Sequence, residues 1–84
     1  MKEDINEPVS VITIFDASKG KTIPTKVKWK NRTYIITETG FHHIKKKGET
    51  IHHLYSVISV DLFLLLDLNT DTLEWELVSI DTAV

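Results

Sequence analysis

Eighty-four residues, 42% hydrophobic and 26% charged, make one folded domain, close to the size at which a single hydrophobic core only just suffices. With no cysteine, disulfide frameworks and thiolate zinc sites are excluded, which fits a reducing compartment. The net charge of −2 conceals a segregation: −3 over residues 1–16, +8 over 17–47 and −7 over 48–84. Such blocks mark either a surface that meets an anionic partner or basic strands lying beside acidic ones in one sheet.

Taken in order, residues 1–7 read as a frayed polar tail. The opening MKEDINEP is acidic and unlike a secretory signal, and the longest apolar run, residues 62–66, is too short to span a bilayer. A cytoplasmic domain is expected. Pro8 opens a first strand over 9–15, with Val9, Val11 and Phe15 on one face and Ile12 and Ile14 on the other. DASKGK is a turn. Pro24 then leads into TKVKWKNRTYIIT, a hairpin that alternates Val27 and Trp29 with Lys26, Lys28 and Lys30, and turns at Asn31. Thr39-Gly40 breaks the return strand, and Phe41 restarts an extended segment.

A KKKGE turn feeds a long strand over 50–59, and Val60-Asp61 makes a bulge or tight connection. The run 62–68 has the composition of a buried helix, but seven residues make barely two turns, so a strand is expected. After the turn Asn69-Thr70-Asp71-Thr72, the last strand covers 73–80 with Leu73, Trp75 and Leu77 on one face. Strands with turn signals every 8–12 residues and no amphipathic helix predict an all-β domain. The expected architecture is a six-stranded antiparallel meander rolled into a small, partly open barrel, SH3-like or OB-like. Its core candidates are Trp29, Tyr34, Leu54 or Tyr55, Leu64, Leu66, Trp75 and Leu77.

Four histidines flank the KKKGE turn. A turn centred between Lys47 and Gly48 sets His43 opposite His52 and His42 opposite His53, one imidazole pair on each face. Such pairs could share a divalent metal if Glu38, Glu49 or Asp61 completed the ligand set, or could act as a pH-sensitive element. The basic residues Lys26, Lys28, Lys30, Arg32, Lys45, Lys46 and Lys47, interleaved with Trp29 and Tyr34, resemble a surface for single-stranded nucleic acid. If Trp29 is core, however, it cannot stack beside Lys28, because the two alternate across the strand. Catalysis finds no support: the three glycines are scattered and no nucleophile is placed beside a base.

The hairpin Trp29-Lys30-Asn31-Arg32-Thr33-Tyr34 and the closing Leu66-Asp67-Leu68, Trp75-Glu76-Leu77 and Ile80 resemble small uncharacterised bacterial all-β domains. Some of these sit at the C-terminal end of damage-tolerance proteins related to Y-family DNA polymerases. The resemblance implies an accessory or interaction role and assigns no functional residue. Two strands apolar on both faces point the same way. If they are neighbours, Ile12, Ile14, Phe63 and Leu65 form one contact patch for another protein or a second copy of the chain. The expectation is a non-catalytic binding module with no cofactor and no membrane partner.

Overall fold

The computed structural model describes residues 1–82, which form one antiparallel sheet of seven strands. These are β1 (Lys2–Asp16), β2 (Lys21–Trp29), β3 (Arg32–Ile35), β4 (Glu38–Lys47), β5 (Thr50–Ser59), β6 (Leu62–Asn69) and β7 (Glu74–Thr82). The described residues contain no helix, and so none long and apolar enough to cross a membrane. The all-β class is as expected. The strand count is seven rather than six, because the chain leaves the hairpin at Ile36 and starts β4 as a strand of its own.

Strand order is β3-β2-β1-β7-β6-β5-β4, so β3 and β4 are opposite edges although only Ile36 and Thr37 separate them in sequence. Three residue steps reach about 10 Å at most, whereas the edges of a flat seven-stranded sheet lie about 29 Å apart. The sheet must therefore curl until its edges nearly meet. The corner is pinned by backbone bonds from Ile36 N–H to Thr25 O (2.9 Å) and from Thr37 N–H to Ile58 O (2.8 Å). Across the seam, the Tyr55 hydroxyl donates to Thr22 O at 3.0 Å. No ladder joins β3 to β4, and the curl stays open there.

Four register shifts supply the bending: in β1–β7 near Asn6, in β1–β2 at Thr25, in β4–β5 at Gly40 and in β6–β7 at Val78. Each device suits its residue. Asn6 takes a positive φ of 51°. Pro24 sits buried beside the Thr25 bulge, where its missing N–H disturbs no ladder, and the Thr25 hydroxyl donates to Ile12 O. At Gly40 a Cβ would lie 3.2 Å from Ser56 O, so the bare backbone permits the close approach.

Residues 2–7 are not a frayed tail. Lys2, Glu3, Asp4 and Glu7 pair with β7, and Ile5 packs on the core. β1 thus serves both arms of the sheet: its first half pairs with β7 up to Val9, and its second half with β2 from Ser10 onward. Beyond the β7 ladder the β1–β2 end projects. Phe15 is therefore exposed along with Ile12 and Ile14, instead of continuing the Val9 and Val11 face inward. The core is Val27, Tyr55, Val57, Leu64, Leu66 and Leu77, with Trp29, Tyr34 and Trp75 packed half-buried around it. Leu73 is not in the last strand: it ends the turn with φ 62° and stands in solvent.

Candidate functional site

The β4–β5 hairpin turns on Gly48 and Glu49, with Lys47 paired to Thr50 and Gly48 at φ 61°. This lies one residue beyond the expected centre, so the register moves by two. His42 faces Tyr55, His43 faces Leu54, His53 faces Ile44 and His52 faces Lys45. Because the shift is even, each side chain keeps its face but changes its partner.

The four histidines consequently part. On the inner face, His42 Nε2 lies 2.7 Å from His53 Nδ1, and the His42 ring stacks on Tyr55 with centroids 4.2 Å apart. In a hydrogen bond between two imidazoles one ring nitrogen donates and the other accepts. Burial, followed by the charges of His53, Lys21 and His43, holds His42 below its ordinary pKa. On the outer face His43 stacks against Phe41. His52 Nδ1 instead approaches Asp67 Oδ1 at 2.6 Å, while Lys47 Nζ donates to Asp67 Oδ2 at 3.1 Å, so the buried carboxylate is held on both oxygens. Among the described residues, no three His, Asp or Glu side chains are grouped to hold a metal ion. Neither Glu38, Glu49 nor Asp61 completes a set around His42 and His53.

The basic residues are also divided. Lys26 and Lys28 line a small groove with Ser10, Ile12 and Thr33, while Lys45, Lys46 and Lys47 end the strand at the opposite edge. Lys30 and Arg32 cover the rings of Trp29 and Tyr34, at 4.7 and 5.7 Å from the centroids. Trp29 Nε1 donates to Glu7 at 3.1 Å. Both rings pack on the core, and no open aromatic platform stands beside Lys28. The two-sided apolar strands are not neighbours, since β7 lies between β1 and β6. Ile12 and Ile14 sit on the projecting β1–β2 end, apart from Phe63 and Leu65 on the outer face of β5–β7, and the four form no single patch.

Two features emerge that the sequence reading did not single out. The first is β4 itself, an edge strand in which all ten residues are exposed. Phe41 on its outer face borders a depression shared with Ser56, Phe63 and Leu65. The Lys45-Lys46-Lys47 run was the available signal, because lysines commonly guard edges. The second is a cleft of about 340 Å³ at the seam, between β3 and the β5–β6 turn. Ser59 lines it, and its Oγ is buried without a hydrogen-bond partner. Comparison with protein-family models, curated proteins and solved structures finds no match for this chain.

Proposed function

We propose that this protein is a non-catalytic binding module whose partner is another polypeptide, in the first place a second copy of itself added along β4. One observation carries the reading: all ten residues of β4 are exposed, and among the described residues no strand is hydrogen-bonded along its outer edge. Its charges favour one arrangement. Antiparallel pairing about a twofold axis near His42 and His43 sets the Glu38 end of one strand against Lys45 and Lys46 of the other. Parallel pairing would align the lysine runs and repel. The antiparallel arrangement also brings the two Phe41–His43 stacks side by side on a common outer face.

Sedimentation equilibrium from about 10 μM to 500 μM tests this. The expected result is a monomer–dimer equilibrium about the 9.6 kDa monomer mass, weakened at least tenfold by Phe41→Lys and also by Glu38→Lys. A monomer at every concentration, or a dimer indifferent to both substitutions, would refute pairing through β4.

A further inference from the structure

The outer face of β1, β2 and β3 carries an apolar and basic patch that neither the core nor the β4 edge uses. The ladders fix its layout. Ile14 stands opposite Ile23, Ile12 opposite Lys26 and then Ile35, and Ser10 opposite Lys28 and then Thr33. Val11 and Val27 alternate with these residues and pack on the core, so the rows turn outward. Ile12, Ile14 and Ile35 are 59%, 54% and 59% exposed. Lys26 stands between Ile12 and Ile35 on the middle strand, where a lysine offers its aliphatic stem to both and its ammonium to solvent. Exposed isoleucines scattered singly need no explanation, but a set held in adjacent rows marks a contact surface.

The charge on this face favours one kind of partner. Lys21, Lys26 and Lys28 are all exposed. The paired residues of the β1–β2 ladder from Ser10 to Asp16 include one carboxylate, Asp16, whose Oδ1 already accepts from Ser18 N–H at 3.0 Å and from Ser18 Oγ at 2.6 Å. Residues 48–84, by contrast, hold seven acids and no lysine or arginine. A molecule so divided turns its basic arm toward a negatively charged surface. Shape agrees, because the β7 ladder stops at Val9 and the β1–β2 end runs on past it. The groove on the face, of about 150 Å³, is well below the roughly 300 Å³ of the smallest ligand pockets, so the face meets its partner as a surface.

We propose that this face lies on an anionic lipid bilayer. Ile12, Ile14 and Ile35 enter the boundary between headgroups and acyl chains, while Lys21, Lys26 and Lys28 meet the negative headgroups. A nucleic acid would satisfy the lysines and leave the isoleucines in water; a bilayer serves both. The expectation of no membrane partner rested on the lack of a spanning segment, and a face that lies on the surface needs none.

Co-sedimentation of the full chain with lipid vesicles tests the assignment. Vesicles of about one-third phosphatidylserine in phosphatidylcholine should pellet the protein in about 0.05 M salt, and pure phosphatidylcholine should not. Ile12→Thr and Ile14→Thr should each weaken the partition about fivefold; threonine keeps the β-branched shape that a strand favours, so the fold is retained. Lys26→Ser and Lys28→Ser, which change exposed side chains, should each cost about fivefold, and about 0.5 M salt should release most of the protein. Phe41→Ser, on the β4 edge, should leave the partition unchanged, which keeps this outcome separate from pairing through β4. No pelleting with the anionic vesicles would overturn the proposal. Isoleucine variants that bind like the parent would overturn it too, since they would mark a face that reads charge alone, as for a nucleic acid. A loss confined to Phe41→Ser would place the contact on β4 instead.

Discussion

The turn between β5 and β6 permits a quantitative test of the backbone argument. Val60 and Asp61 join Ser59 to Leu62 as a two-residue connection, and Val60 adopts φ 54°. For a β-branched L-residue this left-handed conformation costs roughly 1–2 kcal/mol, whereas asparagine enters it far more readily. Little packing opposes the exchange. Val60 is 79% exposed, so about a fifth of its side chain is covered, which corresponds to roughly 0.3–0.6 kcal/mol of the 1.5–3 kcal/mol for full burial. Val60→Asn should therefore stabilise the domain by about 0.5–1.5 kcal/mol. For a domain of this size, about 1 kcal/mol raises the melting temperature by about 4–8 °C. Calorimetry, with urea unfolding followed by tryptophan emission, reads the change. An unchanged or lower melting temperature would refute the strain argument, because no other contact of Val60 is large enough to conceal it.

Three further outcomes follow from the core and its rim. Leu66 is fully buried, and Leu66→Ala should cost about 2–5 kcal/mol, a large part of the roughly 4–13 kcal/mol typical of 84 residues; a loss below 1 kcal/mol in urea unfolding would contradict its central place. Because folding depresses the His42 pKa below 6.5, the unfolded chain takes up the proton more readily. That contribution is complete above pH 6.5 and is lost as pH falls through the folded value, so the urea midpoint should drop from pH 7 to pH 5 more steeply in the parent than in His42→Phe, and equal slopes would count against it. Glu7→Ala should cost about 0.5–1.5 kcal/mol and shift tryptophan emission through the lost Trp29 bond, while Glu7→Gln keeps both; identical behaviour of the two variants would remove that bond from the account.

The hairpins were legible in the sequence because their signals are local. Lys30 and Asn31 form the central turn, both at positive φ as a two-residue hairpin demands, and the alternation of Val27 and Trp29 fixes which face turns inward. The strand assignment of the Leu62–Asn69 region likewise followed from length alone. The errors lie where the determinant is distant. Residues 2–7 look polar and free, yet their partners are at the other end of the chain. Phe15 and Ile12 depend on where the β7 ladder stops, a property of no single strand. At the histidines, a turn misplaced by one residue exchanged every cross-strand partner while preserving faces. His42 thus still meets His53, but diagonally, and His52 meets Asp67 on the neighbouring strand. Edge status is legible only once the strand order is known, which is why β4 drew attention for its histidines and not for its unpaired side.

The double service of β1 has a kinetic consequence. Every other pairing of the sheet joins strands adjacent in the chain, and such hairpins close on a microsecond scale. The β1–β7 ladder joins residues from 66 positions apart, at Val9 and Trp75, to 79 apart, at Lys2 and Asp81. Closing loops of that length must precede any reward from the contacts, so this ladder sets the pace of folding. Until it forms, the chain is two hairpin units joined at Ile36 and Thr37, with β7 an open edge beside the leucine-rich β6. That transient edge is a place where aggregation during folding would begin, in addition to the β4 edge that stays open in the finished fold.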